Sequence, residues 1–153
     1  MKRYNTILVL ALVLTQSACS YISDFVVLND SEKPIEVRYT VKGSSYEPFQ
    51  LIDEPAKTSQ PNLPSTDNHW QRLTSREYNL DARIITVTVQ PHEALRVESI
   101  PNYPGHDDAS AADRFQINDI IITGGRGEVK IQGEQARNKF AEQSESLYLL
   151  TYK

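Results

Sequence analysis

Histidines, clustered carboxylates, a single cysteine and a glycine run are the residues of this chain whose types and spacing could do chemistry. The three histidines, His69, His92 and His106, each fall in a predicted turn or loop. Nucleophilic catalysis needs a serine or cysteine activated by such a base. No G-x-S-x-G elbow stands in the sequence. A hydrolase built on one of these histidines is therefore the remote alternative. His106, Asp107, Asp108 and Asp113 crowd one short-chained acidic stretch. Oxygen ligands at that density suit calcium, but the spacing is not that of an EF-hand and no H-x-x-x-H occurs. A solvated acidic loop is the simpler expectation. Gly124-Gly125-Arg126-Gly127 lacks the spacing of a phosphate-binding loop, and a strand rather than a helix follows it. A hairpin turn is expected there, with the glycines supplying positive φ and Arg126 in solvent.

Recognition chemistry points elsewhere. Trp70 is the only tryptophan and follows His69 in a proline-rich stretch. It can anchor a partner, or it can cover one end of the fold and seal the core. Tyr46, Tyr78 and Tyr103 also fall in or beside loops, and an aromatic binding surface would form if one or more of them shared a face with Trp70. His69, Trp70, Tyr78 and Tyr103 are the partner-binding candidates. The metal candidates are His106, Asp107, Asp108 and Asp113.

The elements that must position these residues read as strands. Residues 35 to 42, IEVRYTVK, alternate, with Ile35, Val37, Tyr39 and Val41 on one face. That is the period of a half-buried strand. DFVVL precedes it, and the turn-rich NDSEKP lies between. The pair predicts either a hairpin or one strand changing direction. RIITVTVQ at 83 to 90 is β-branched and alternates. Pro91-His92-Glu93 turns the chain into ALRVESI, where Leu95 and Val97 point together. FQINDIIIT and EVKIQ flank the glycine run as a hairpin. SLYLLTYK closes the chain, with Tyr148 and Tyr152 on one face. PFQLI at 48 to 52 is a weaker strand candidate. EQARNKFAEQS at 134 to 144 invites at most one short helix, with Ala136 and Phe140 four apart.

These elements predict an all-β fold, an antiparallel β-sandwich of about seven or eight strands, immunoglobulin-like or transthyretin-like. Residues 53 to 82 and 101 to 114 lack alternation and are expected to be long loops, which in a compact domain are usually functional or disordered. The first strand is expected to begin near Phe25.

Composition bounds the rest. The 153 residues suit a single domain. With 24% charged and 39% hydrophobic residues, a multi-span membrane protein is excluded. One cysteine excludes an internal disulfide framework. A net charge of -4 argues against nucleic acid as a partner. No cofactor is implied.

The N-terminus, MKRYNTILVLALVLTQSACS, has the pattern of an address. Lys2 and Arg3 precede eight apolar residues, Ile7 to Leu14, a run too short to span a bilayer and of signal-peptide length. Ser17, Ala18 and Cys19 then resemble the end of the lipobox of bacterial lipoprotein precursors, with Gln16 where that class usually has Leu. The resemblance implies removal of residues 1–18 and lipidation of Cys19. Ser20 then favours the outer membrane, since a residue other than Asp follows the cysteine. Cleavage after Ser20, giving a soluble secreted or periplasmic protein, is the alternative. Without Lys2 and Arg3 the mature chain carries 14 basic against 20 acidic residues, a net charge of -6. The lipid alone would then hold it to the membrane. The expected organisation is a signal peptide over 1–18, a lipidated tether over 19–24 and one sandwich domain over 25–153.

PIEVRYTVKGSSYEPFQLID at 34 to 53 and QPHEALRVE at 90 to 98 are also similar to segments of the lipoprotein of type VI secretion systems, another small outer-membrane β-sandwich. The function expected first is a non-enzymatic, lipid-anchored envelope module that binds a protein partner through its loops. The alternative is a small-ligand or calcium carrier using the 101 to 114 stretch or a cavity between the sheets.

Overall fold

The computed structural model describes residues 21–42, 56–59, 61, 63, 70–73, 77–79, 83–102, 115–133, 135–144 and 146–153. Among them are eleven strands and one short helix. The first half holds β1 (Tyr21–Asn29), β2 (Ile35–Val41), β3 (Ala56–Thr58), β4 (Gln71–Arg72), β5 (Glu77–Asn79) and β6 (Ile84–Val89). The second holds β7 (Ala94–Asn102), β8 (Ile117–Gly124), β9 (Gly127–Gln132), α1 (Gln135–Asn138), β10 (Ala141–Ser144) and β11 (Leu147–Tyr152). A six-stranded sheet runs β10-β11-β1-β7-β3-β4, and a five-stranded sheet runs β5-β6-β2-β8-β9. The two sheets form an all-β sandwich, as the alternation predicts. Every described pairing is antiparallel except that of β1 with β11.

Period-two patterning builds the interior. Ile35, Val37 and Tyr39 of β2 are buried, and so are Ile85, Val87 and Val89 of β6 and Ile120 and Ile122 of β8. Phe25, Val27, Leu95, Val97 and Tyr152 meet them from the six-stranded sheet. Each such side chain contributes about 1.5–3 kcal/mol by leaving water. At one end Phe25 gathers three rings: Phe115 at 4.8 Å, Phe140 at 5.5 Å and Tyr148 stacked at 4.8 Å. Tyr148 and Tyr152 share the inward face of β11, as expected.

The structure corrects several expectations. β1 and β2 belong to different sheets, so NDSEKP is a crossover and not a hairpin turn. Asn29, wholly buried, holds it in place. Its Nδ2 donates to the carbonyls of Lys33, Val89 and Gln90 at 2.8–3.1 Å, and its Oδ1 accepts from Ser31 N and Oγ. The Pro91-His92 turn is likewise a crossover, from β6 to β7. Its 3.1 Å Glu93 N–H to Gln90 carbonyl bond closes around a His92 φ of 57°.

β1 begins at Tyr21 rather than near Phe25, so residues 21–24, expected as tether, are strand. Residues 53 to 82 are not loop throughout, since β3, β4 and β5 lie within them. These strands of two or three residues, with four-residue β10, raise the count above eight. Each is too short to show a period. Among the described residues of the 134 to 144 stretch only 135–138 are helical, and β10 over 141–144 pairs with β11 instead. The stretch 48 to 52 lies outside the described residues. The predicted hairpin at Gly124–Gly127 forms, with Gly127 at φ 107° and Arg126 exposed.

Candidate functional site

A sandwich usually keeps its outer faces polar. The six-stranded sheet departs from this. On the face of β1 opposite Phe25 and Val27, Val26 and Leu28 join Ala94 of β7 and Leu147 and Leu149 of β11 in a second apolar cluster. Leu63 and Trp70 of this chain pack against it. Trp70 immediately precedes β4, and the pairing of Arg72 with Ala56, and of Ala56 with Arg96, brings it beside β7. The Arg96 guanidinium lies over the Trp70 ring, 5.3 Å from its centroid. A cation over an indole face at this distance is attractive by about 0.5–1 kcal/mol where water has access. Arg96 also reaches Asp24 Oδ1 at 3.8 Å, and Ser99 Oγ donates to the same oxygen. Trp70, Arg96 and Asp24 are all half-buried. The result is a plate with an apolar floor and a polar edge, on rigid strands.

Trp70 packs, half-buried, on the outer face of the six-stranded sheet rather than across an end of the sandwich. Tyr78 lies in β5 of the five-stranded sheet, paired with Ile85, whereas Trp70 packs on the six-stranded sheet. Cys19, Tyr46, His69, Tyr103, His106, Asp107, Asp108 and Asp113 lie outside the described residues. Among the described residues no group of three or more metal-ligating side chains occurs. His92 is exposed at its turn, with Nε2 3.6 Å from Glu32 Oε1.

Sequence reasoning missed one group. Between the Phe25–Glu98 and Val26–Arg96 pairs, β7 holds one residue more than β1, a β-bulge at Val97. A bulge lets two neighbours face the same way. Val97 packs in the core, and Glu98 also turns inward, where its Oε1 accepts the Gln116 N–H at 2.8 Å and the carboxylate also accepts from the Ile117 N–H. Its Oε2 is buried with no hydrogen-bond partner. Burial pushes the Glu98 carboxyl up to about 7, against the lowering pull of those two amides and of the Lys42 charge. The change was visible as a break of phase: apolar Leu95 and Val97 are odd positions, and buried Ile100 is even.

The fold defines a largely antiparallel β-sandwich with an aromatic-cationic plate on one outer face. Comparison with known proteins gives no family model, no curated relative and no solved structure that matches the chain.

Proposed function

We propose that the protein is a non-enzymatic, lipid-anchored module of the cell envelope, and that its protein partner docks on the outer face of the six-stranded sheet around Trp70 and Arg96. The observation that carries this reading is the Trp70–Arg96 pair above the second apolar cluster. Tryptophan and arginine are the side chains that most often dominate interface energies. Here both sit on paired strands or directly beside one, so little ordering is required on binding. The short connection from Cys19 to β1, which starts at Tyr21, supports an anchored domain that works close to its bilayer.

A photoreactive amino acid placed at exposed Thr151, on the Leu147–Leu149 side of β11, tests this reading in cells. Glu36, exposed on the outer face of the other sheet, is the control position. One envelope protein is expected to cross-link from position 151 and not from 36. Trp70→Ala is expected to weaken that capture at least about 30-fold, the loss of an interface hot spot. Unchanged capture in a Trp70→Ala protein that melts normally would remove the role.

A further inference from the structure

We propose that Glu98 is a proton-operated latch at the end of the sandwich from which β1 starts. With its carboxyl neutral the two sheets close over it, and with the carboxyl ionised that end opens so that the charge regains water.

The geometry places the carboxyl between the sheets. The bulge turns it inward from β7, opposite Phe25 of β1. Its bonds to the Gln116 and Ile117 amides reach the start of β8 in the other sheet. The Gln116 carbonyl in turn accepts the Lys42 N–H at 2.5 Å, just past the end of β2. One side chain therefore ties β7 to the start of β8, which is itself bonded to the chain just past β2. Its second oxygen is shut from water without a partner, a tolerable state for a neutral carboxyl and a costly one for a carboxylate.

Lys42, just past β2, is the charged side chain acting on Glu98. Tyr39 faces the interior from β2, and Tyr148 from β11 stacks on Phe25. Asp24 of β1 and Arg96 of β7 are turned to the outer face, where they meet. Asp119 of β8 points out of the other sheet and accepts from Thr40. On α1 the charge is Arg137, next to the inward-facing Ala136. Lys42 is thus the group that can tune the latch.

Amide exchange of the full chain, compared with Glu98→Gln at each pH, reads the latch directly. The variant cannot ionise, and intrinsic exchange cancels in the ratio. For Gln116 and Ile117 the wild-type-to-variant ratio is expected to rise by on the order of 50-fold between pH 5 and pH 8. A flat ratio would overturn the proposal. Should Glu98→Gln not fold, the Glu98 carboxyl carbon followed by NMR in the unmodified chain decides the matter. A midpoint near neutrality that moves upward in Lys42→Met supports the latch, and a midpoint in the ordinary carboxylate range sinks it.

Discussion

Single residues in this sandwich matter through what surrounds them, and Glu98 is the clearest case. An ordinary glutamate on an alternating strand faces solvent and titrates near 4.5. Here the folded-state value is raised to about 7, so the folded protein holds its proton more tightly than the unfolded chain. The stabilisation is complete below pH 4.5, declines between 4.5 and 7, and is lost above 7. The full span is about 3 kcal/mol. Denaturant melts from pH 4 to pH 9 should show the wild type losing stability over that window relative to Glu98→Gln. Parallel curves for the two proteins would show that the carboxyl does not titrate between the sheets. Asn29 illustrates a different residue-scale lesson. One buried amide satisfies three carbonyls of two crossovers, which no apolar residue of its size can do.

Elements here are held by their ends as much as by their ladders. β8 and β9 form a regular hairpin, but its tip is fastened by a residue from the opposite sheet. The Tyr152 hydroxyl donates to the Gly127 carbonyl and accepts the Arg126 N–H, both at 3.2 Å. The ring lies so close to Gly124 that a Cβ there would stand 2.6–2.8 Å from its atoms. Gly124→Ala should therefore displace Tyr152 from the hairpin tip and cost about 1–3 kcal/mol, the usual range for overpacking. Calorimetry of Gly124→Ala, Tyr152→Leu and the double variant checks the cause. The glycine substitution should cost much less once the ring is gone. An equal cost in both backgrounds would mean that the hairpin itself, and not the tyrosine, requires glycine. The short strands β3, β4 and β5 follow the same logic. They have too few residues to be stable alone, and exist because β7 offers an edge to β3, β3 to β4, and β6 to β5.

At the scale of the whole molecule, the sandwich gives the proposed tether a direction. β1 lies inside the six-stranded sheet, between β11 and β7, with its first residue at the end where Glu98 and the aromatic cluster sit. Among the described residues no helix is long and apolar enough to cross a membrane. If Cys19 carries acyl chains, each buried CH₂ contributes about 0.8 kcal/mol, and several chains suffice to hold the net-acidic domain. Cys19→Ser is then expected to move the protein from the membrane fraction to the soluble envelope fraction without changing its melting temperature. Intact mass of the wild type should show a lipidated N-terminus at residue 19. An unmodified N-terminus after residue 20 would instead make this a soluble secreted domain. The Trp70 plate and the Glu98 latch sit on different faces of the same strand β7, so the two can be tested by independent substitutions.

By itself, the sequence determined the all-β class, the inward face of β2, the alternation of β6, the hairpin at Gly124–Gly127 and the shared face of Tyr148 and Tyr152. These follow from local alternation and turn chemistry, which any short window carries. It also marked Trp70 as a residue to weigh. Only the tertiary structure decided which strands share a sheet. A crossover such as Asp30–Pro34 and a hairpin turn use the same residue types, and the difference lies in a distant partner such as the carbonyls that Asn29 meets. The tertiary structure also decided that Trp70 lies over Arg96 on an outer face, because edge strands of two or three residues have no period of their own. Finally it turned Glu98 inward. A bulge is one extra residue between two pairings, and pairing is a property of two strands far apart in the chain.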